Sequence, residues 1–337
     1  MDRYSRQRLF VGIGDEGQDR LAESHVTLVG CGALGTHIAQ HLVRAGVGRL
    51  RLFDRDFVEL GNLQRQVLFD EADVAEGVPK AIAAEQKLRA INSEVEVDAR
   101  VADVSVRNIH HVVADTDLVI DGTDNFETRY LLNDACVRAG LPWVYGGVVA
   151  SHGMVLAVRP KETPCFACVV PDMPPPGSTG TCDTTGVIGP AVAVIAALEA
   201  AEAMKLLTGA TDRLADGLIT MDVWRHEYRV FSVPRNPDCR VCARGEYDFL
   251  RPESGSTSTV LCGRNAVQVT PGAATSIDFD RLEGRLSPHG PVRYNSHLLR
   301  FEADSLECTL FPDGRAVIQG TDQTERARAF YSRYIGS

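Results

Sequence analysis

A glycine-rich turn between a short apolar run and a helical pattern constrains the fold of this chain more than any other feature. The apolar run is Val26 to Val29, and it leads into Gly30-Cys31-Gly32-Ala33-Leu34-Gly35. Strand, glycine turn and helix in this order can hold a phosphate, because N–H groups at a helix N-terminus attract an anion and glycine lets it approach closely. The sequence therefore predicts a nucleotide site at Gly30, Gly32, Ala33 and Gly35.

A second apolar run, Leu50 to Phe53, ends at Asp54, where an acid that binds ribose belongs in a nucleotide-binding βαβ unit. Later buried strands are expected at Leu118 to Ile120 and around Trp143 to Val149. These patterns predict an α/β fold with a Rossmann-like, doubly wound and mostly parallel sheet. Ligands bind beyond the carboxyl ends of such strands, so the loop after Ile120 should face the same crevice as the glycine turn.

The pattern changes to antiparallel signals from Ala150 onwards, which predicts an antiparallel continuation of the sheet. Residues 1–250 are expected to form the first domain, and residues 251–258, rich in Ser, Gly and Thr, a linker. Residues 259–337 are expected to form a small α+β extension. Its predicted elements are strands at Ala266 to Val269, His297 to Phe301, Cys308 to Phe311 and Ala316 to Ile318, and a helix from Glu325 to Tyr334.

The charge balance disfavours nucleic acid and anionic membranes as partners. The 337 residues contain 35 Lys and Arg against 45 Asp and Glu, which gives a net charge of −10. The most apolar later stretch, Val187 to Leu198, is too short to span a bilayer and contains Gly189 and Pro190. We therefore expect a cytoplasmic protein, in which the nine cysteines serve metal or thiol chemistry rather than disulfides.

Two CxxC pairs about seventy residues apart predict a four-cysteine zinc site. The ligands would be Cys165, Cys168, Cys239 and Cys242. With four protein thiolates the site is closed, so the zinc would be structural. Two redox motifs or fortuitous pairs are the alternatives. Cys182 is different, because it lies in the polar, glycine-rich stretch TGTCDTTG, where its thiol is either accessible or an inert loop cysteine.

A set of charged residues stands at the predicted ends of elements around the crevice. Its members are Arg6, Arg65, Lys80 and Asp124, and Asn62 lies nearby in the sequence. Each charge alone is most often a solvated surface group. Together they would suit a triphosphate with a divalent ion, because Arg and Lys neutralise phosphates and a carboxylate holds Mg²⁺.

These motifs together resemble the ThiF/MoeB family, relatives of the ubiquitin-activating enzymes, over about residues 1–245. The shared motifs are RYSRQ at the start, GCGALG, Asp54-Arg55-Asp56, Asn62-Leu63-Gln64-Arg65-Gln66, Pro79-Lys80, Gly122-Thr123-Asp124-Asn125 and the paired CxxC knuckles. The resemblance implies an adenylyltransferase that uses ATP to activate the C-terminal Gly-Gly of a ubiquitin-like sulfur carrier. Pyrophosphate would leave, and the product would prepare thiocarboxylate formation with a sulfur donor such as a cysteine desulfurase.

The resemblance also implies roles for individual residues. Asp54 would hold the ribose, Arg65 and Lys80 the phosphates with help from Asn62, and Asp124 the Mg²⁺. Arg6 would reach the nucleotide of a neighbouring subunit, which implies a homodimer. Cys182 would capture the activated glycine as a thioester or take part in an acyl disulfide.

The tail is too short for the rhodanese domain that many eukaryotic relatives carry. Its segments LCGRNAVQV and LFPDGRAVIQGT are similar to the extension of thiazole-branch ThiF-like proteins, which favours a ThiS-like carrier of thiamine thiazole biosynthesis. A MoaD-like carrier or a tRNA-thiolation carrier is the alternative. A non-catalytic module that binds ubiquitin-like proteins and an NAD-dependent oxidoreductase are more distant ones, because neither needs the whole charged set.

Overall fold

The computed structural model describes residues 2–173, 185–251, 258–261, 263–270 and 276–335. The chain divides into two compact units, Met1–Gly255 and Ser256–Ser337. Cys182, Cys262 and most of the expected linker lie outside the described residues.

The first unit is built on an eight-stranded sheet with the order β3-β2-β1-β4-β5-β6-β7-β8. Strands β1 to β5 run parallel, and β6 to β8 continue the sheet antiparallel. The predicted doubly wound sheet with an antiparallel continuation is therefore confirmed. The strands are β1 (His25–Val29), β2 (Arg49–Asp54), β3 (Glu96–Val101), β4 (Leu118–Asp121), β5 (Trp143–Val149), β6 (His152–Val158), β7 (Leu218–Asp222) and β8 (Glu227–Phe231).

Helices cover both faces of this sheet. They are α1 (Ser5–Arg8), α2 (Gly14–Glu23), α3 (Ala33–Ala45), α4 (Glu71–Glu76), α5 (Lys80–Ile91), α6 (Ile109–Val113), α7 (Phe126–Ala139), α8 (Phe166–Val169) and α9 (Gly189–Thr208). Short 3₁₀ turns lie at Leu60–Asn62, Thr211–Arg213 and Asp248–Leu250. None of the helices in the described part of the chain combines the length and apolarity that crossing a bilayer requires.

Successive residues of the central strands belong to two separate hydrophobic cores, because strand side chains alternate between the faces of a sheet. Leu28 of β1 joins a core formed with α3, α5 and α9, whereas its neighbour Val29 joins a core formed with α6, α7 and α8. Both cores are fully buried near β1 and β4. The loops that leave these strands therefore rest on a rigid base.

The second unit is a six-stranded antiparallel sheet with the order β11-β12-β13-β14-β10-β9. Its elements are β9 (Ser258–Leu261), β10 (Ala266–Val269), α10 (Phe279–Leu286), β11 (Val292–Tyr294), β12 (Leu299–Ala303), β13 (Leu306–Leu310), β14 (Ala316–Gln319) and α11 (Thr324–Tyr334). The four predicted strands and the final helix are present. The sequence analysis missed β9, β11 and α10.

Candidate active site

Two glycines meet where the chain leaves the adjacent strands β1 and β4. Gly30 follows β1 with a φ of +90°, and Gly122 follows β4. A Cβ atom on Gly30 would lie 2.6 Å from the carbonyl carbon of Gly122, which no side chain tolerates. This contact holds the two loops together between β1 and β4, where the strand order reverses and doubly wound sheets bind ligands.

The N-terminus of α3 opens onto this crevice. Gly32 is its N-cap, and the nearest atom to a Cβ placed there would be Gln66 Nε2 at 3.8 Å. Gly35 in the first turn packs so closely on Gly30 that a Cβ would overlap the Gly30 carbonyl. The first N–H groups of a helix have no hydrogen-bond partner within the helix. The space next to Gly32, at the N-terminus of α3, is therefore open to an anion.

Strand β2 ends in Asp54, whose carboxylate bridges the glycine turn and the next loop. One oxygen accepts a hydrogen bond from the Cys31 N–H at 2.6 Å, and the other accepts one from the Asp56 N–H at 2.7 Å. Burial raises the pKa of Asp54, and the Lys80 ammonium opposes that rise. The carboxylate is thus fixed in orientation beside the crevice.

Lys80 begins α5 directly after Pro79 and points back towards the same loop. Its side chain is only 3% exposed, and its Nζ lies 3.3 Å from an Asp56 carboxylate oxygen. The backbone N–H of Lys80 donates to the backbone carbonyl of Asp56 at 2.9 Å, and this bond fixes the start of the helix against the loop after β2. The structure therefore brings a buried cation together with Asp54 and the glycine turn.

The Asn62-to-Gln66 segment folds over the first turns of α3. Asn62 is buried, and its side-chain oxygen accepts the Glu59 N–H at 3.2 Å. Arg65 is partly exposed and donates to the Gly61 carbonyl at 2.8 Å, while its backbone hydrogen-bonds to His37 of α3. Arg65 is therefore positioned by α3, and Asn62 shapes the turn that carries it.

Asp124 is exposed in the loop after β4, one residue beyond a tightly held peptide. The N–H and hydroxyl of Thr123 donate to Asp121 at 2.9 and 2.7 Å, and Arg129 donates to the Thr123 carbonyl at 2.8 Å. Asn125 then caps α7 by accepting the Thr128 N–H at 2.9 Å. Asp124 is thus presented between two anchored neighbours.

Several carboxylates gather around Arg55 at this edge of the sheet. Burial lowers the pKa of the Arg55 guanidinium, but the carboxylates of Asp103, Asp56 and Asp124 outweigh it and raise that pKa. Arg55 donates to Asp103 at 2.8 Å. A site with this many carboxylates favours bound cations, including divalent metal ions.

The structure joins Arg6 to none of these groups. Arg6 is exposed on α1, and among the described residues its side chain has no hydrogen-bond or ion-pair partner. Its predicted part in the site is not tested within a single chain. The predicted role of Cys182 is likewise untested, because Cys182 lies outside the described residues.

The four predicted metal ligands converge on one point. All four Sγ atoms lie within 4.8 Å of one another, with separations of 3.8 Å for Cys165–Cys168, 3.6 Å for Cys165–Cys239 and 3.5 Å for Cys168–Cys242. A tetrahedral ion with metal–sulfur bonds of about 2.3 Å needs sulfur separations of about 3.8 Å. The cluster therefore fits a tetrahedrally coordinated metal ion.

One knuckle of the cluster packs against α7 and β5, and the other against α7 and the 3₁₀ turn Asp248–Leu250. Phe166, between two of the cysteines, is fully buried, with ring centroids 5.2 Å from Tyr130 and 4.8 Å from Tyr145. Arg240, between the other two, lies over the rings of Tyr130 and Phe249 at 5.8 and 5.7 Å. The cysteine cluster thus joins distant segments of the chain beneath one aromatic core.

Sequence reasoning missed a second set of polar residues beneath the site. Asp121, Arg129 and Glu199 are all buried, and they lie on β4, α7 and α9. Asp121 could have been found, because it ends a buried strand immediately before Gly122-Thr123-Asp124. Glu199 gave no such signal, since it stands among alanines in a helical pattern.

Comparison with known proteins places this geometry in a family. The sequence model of the ThiF family matches residues 4–241. The chain is 43% identical over 338 residues to the sulfur carrier protein ThiS adenylyltransferase of Bacillus subtilis, with 99% of each chain covered. It is 42% identical over 247 residues to a sulfur carrier protein adenylyltransferase of Thermus thermophilus, which covers 72% of this chain and 90% of the relative.

A solved structure has the same architecture. The crystal structure of E. coli MccB with ATP superimposes with a TM-score of 0.64 at 27% sequence identity, and the match covers 72% of this chain and 73% of that one.

Proposed function

Because the chain belongs to the ThiF family, we propose that it adenylylates the C-terminal glycine of a ThiS-like sulfur carrier with ATP. The observation that carries this proposal is the 43% identity to the Bacillus subtilis enzyme over 99% of both chains, which takes in the second unit as well as the first. A MoaD-like carrier or a tRNA-thiolation carrier would undergo the same chemistry, so the carrier is the point that an experiment must decide.

The reaction needs no general base. A glycine carboxylate is already ionised at neutral pH, and one of its oxygens attacks the α-phosphorus of ATP. A carboxylate–phosphorus bond forms while the bond to the bridging oxygen breaks, and pyrophosphate leaves with its electron pair. The protein's task is therefore to orient two anions and to offset their repulsion.

The groups around the crevice would bind different parts of the nucleotide. The open N-terminus of α3 would receive phosphate, and Asp54 would accept hydrogen bonds from the ribose hydroxyls. Lys80 and Arg65 would neutralise the phosphates, with Asn62 holding the turn that carries Arg65. These assignments are supported by the convergence of these groups on the glycine turn.

Asp124 would hold the Mg²⁺ that accompanies ATP. Its exposed carboxylate lies in the loop joined to the glycine turn through the Gly30–Gly122 contact, and a hard cation prefers such oxygen ligands. When bound, the ion would neutralise charge on the phosphates and on departing pyrophosphate.

We assign the cysteine cluster to a structural zinc. Four thiolates leave no open coordination position for substrate, and the ion would link α8 to the segment after β8.

We propose that the carrier docks on the outer strand β8. All five of its residues are exposed, and Trp224 in the preceding turn is 77% exposed. Val230 adds exposed apolar surface on one face of the strand and Phe231 on the other. An uncovered sheet edge can pair with a strand of another protein, so backbone hydrogen bonds and apolar contacts would both contribute to docking.

ATP–pyrophosphate exchange tests the proposal, with purified carriers that end in Gly-Gly as the second substrate. Exchange is expected with a ThiS-like carrier and not with the same carrier lacking its last glycine. Preference for a MoaD-like carrier would change the assigned pathway, and no exchange with any carrier would contradict the adenylyltransferase proposal.

The same assay tests the docking surface. Val230→Asp should raise the carrier KM about tenfold or more, because it places a charge in an apolar contact, with ATP binding retained. Val260→Asp is the matched control: Val260 lies on β9, the edge strand of the other sheet, with 41% exposure against 43% for Val230. An equal effect of both variants would show that β8 does not dock the carrier.

We further propose a homodimer in which Arg6 completes the neighbour's site. The exposed apolar residues Leu9, Phe10 and Val11 directly follow the helix that carries Arg6, and Val11 is 98% exposed. Such a run is the kind of surface that a subunit contact buries. An isologous contact would bring each Arg6 to the partner subunit.

Mixing two inactive variants tests this arrangement. Arg6→Ala and Asp124→Ala should each be inactive alone, because each removes one part of every site. When equal amounts of the two variants exchange subunits, about half of the dimers contain one chain of each, and one of the two sites in such a dimer is intact. The mixture should therefore recover about a quarter of the wild-type rate of pyrophosphate exchange. If Arg6 serves its own chain, the mixture will stay inactive.

Cys182 would act after adenylylation, when sulfur from a donor such as a cysteine desulfurase enters the carrier. Its thiolate would displace AMP from the adenylate to form a thioester; if the donor has first transferred a sulfur atom to it as a persulfide, the persulfide would displace AMP to form an acyl disulfide. The reducing cytoplasm would keep such a thiol available, and we place the protein there.

A further inference from the structure

Glu199 is a buried acid that adenylyl transfer, as described above, does not use. It lies in α9 with no exposed surface, and neither carboxyl oxygen has a hydrogen-bond partner. A Cβ on Gly146 of β5 would overlap this carboxyl group, so the acid is packed directly on the strand. Desolvation without partners disfavours a carboxylate and favours the neutral carboxylic acid.

Three other ionisable groups face Glu199, each from a different element. Asp121 ends β4, Arg129 lies in α7 and Tyr145 lies in β5, and all three are buried. Helices α2 and α3 and strand β6 also pack on α9, but none of their described side chains hydrogen-bonds to Glu199. Burial raises the pKa of Glu199 well above its ordinary value, Asp121 raises it further, and Arg129 opposes the rise.

The charges in this cluster balance when one of its two acids is neutral, and Glu199 is the acid whose oxygens accept no hydrogen bond. Arg129 Nε lies 3.3 Å from an Asp121 carboxylate oxygen, so this guanidinium already has an anionic partner. Ionised Glu199 would leave two buried carboxylates beside one buried cation. An uncompensated buried charge is strongly unfavourable, and the guanidinium would be drawn towards both acids.

The same cluster holds the loop that carries Asp124. Asp121 accepts two hydrogen bonds from Thr123, and Arg129 donates to the Thr123 carbonyl. The Arg129 nitrogen that makes this bond also lies 3.5 Å from the Gly146 carbonyl, next to Glu199. A shift of the guanidinium would therefore move the residue immediately before Asp124.

We propose that Glu199 is a positioning residue that must stay protonated: its neutral carboxyl group leaves Asp121 and Arg129 free to hold Thr123, and thereby Asp124, in place. Loss of this proton weakens the hold on Thr123 and displaces Asp124. The inference rests on the proposed function only in the metal-binding role of Asp124, whereas the protonation of Glu199 is independent of it.

The pH dependence of unfolding tests the protonation. The folded chain retains a proton that an unfolded glutamate releases above its ordinary pKa of 4.5, so stability falls as pH rises until Glu199 ionises in the folded state. In denaturant titrations of the full chain, the wild-type unfolding constant should increase by up to about tenfold per pH unit relative to that of Glu199→Gln. Parallel pH dependences of the two proteins would overturn the proposal.

Glu202 provides the matched control on the same helix. Its carboxylate is also buried, but it accepts the Ala215 N–H at 3.0 Å and pairs with Lys205. Glu202→Gln should lose stability and still keep the alkaline decline seen in the wild type. If Glu202→Gln loses that decline, the retained proton belongs to Glu202 and the proposal for Glu199 is wrong.

Magnesium-dependent ATP binding tests the positioning role, because a purely structural residue would not change it selectively. The gain in ATP affinity on adding Mg²⁺ should shrink at least about fivefold in the wild type across the pH at which its stability stops declining relative to that of Glu199→Gln, and it should persist in Glu199→Gln. An equal decline in both proteins would refute the positioning role even if their stabilities differ. If no carrier supports exchange while these results hold, the proposed function fails and the inference about Glu199 stands.

Discussion

Asp124→Ala is expected to lower carrier-dependent pyrophosphate exchange about a thousandfold or more. The variant removes the carboxylate assigned to Mg²⁺, so negative charge on the phosphates and on departing pyrophosphate loses its main compensation. Thr123 and Asn125 keep their hydrogen bonds on either side, because these do not involve the Asp124 side chain. The loss should therefore appear without a change in thermal stability.

Two measurements make this result specific. Asp212→Ala is the control, since Asp212 is also exposed but lies on the 3₁₀ turn Thr211–Arg213, outside the cluster around the glycine turn. It should retain wild-type exchange. ATP affinity measured without Mg²⁺ should be similar for Asp124→Ala and wild type, whereas the gain on adding Mg²⁺ should be lost. Substantial exchange by Asp124→Ala would remove Asp124 from the site.

Cys168→Ser is expected to abolish stoichiometric zinc binding and to lower the melting temperature by about 10 °C or more. Loss of several kcal/mol of metal-binding free energy shifts the melting temperature of a domain of this size by about 2–4 °C per kcal/mol. The effect should be large because the knuckles position Phe166 and Arg240 against α7. Metal analysis and calorimetry on the same preparation measure both changes.

Cys136→Ala is the control that distinguishes the effect of losing the metal from the effect of removing a buried thiol. Cys136 is fully buried in α7 and burial raises the pKa of its thiol, but it is not part of the four-cysteine cluster. This variant should retain one zinc per chain with a smaller loss of stability. If Cys168→Ser keeps both its metal and its melting temperature, the cluster is not a structural zinc site.

The crevice at the glycine turn could be predicted because its signals are local. The glycine spacing requires a backbone conformation that few other residues adopt, and Asp54 and Asp121 each end an apolar strand. The helix α10 was equally predictable but was missed, since Phe279, Leu282 and Leu286 form a buried stripe and Asp278 caps its first turn.

The polar cluster beneath the crevice could not be predicted, because its members meet only through the tertiary fold. Glu199 and Glu202 occupy similar positions in an alanine-rich helix, yet one has no hydrogen-bond partner and the other has two. A glutamate in a helix is most often exposed, so burial of both contradicts the usual expectation. Only the packing of α9 against β5 reveals which of the two acids lies against Arg129.

The two backbone hydrogen bonds to Asp54 have a kinetic consequence. A carboxylate has about four lone-pair directions, and two of them are occupied by the Cys31 and Asp56 N–H groups before any nucleotide arrives. The entropy of ordering this side chain is thus lost during folding and not during association. Nucleotides that share a ribose should therefore associate with similar rate constants, and differences in their residence times should separate ATP from its competitors.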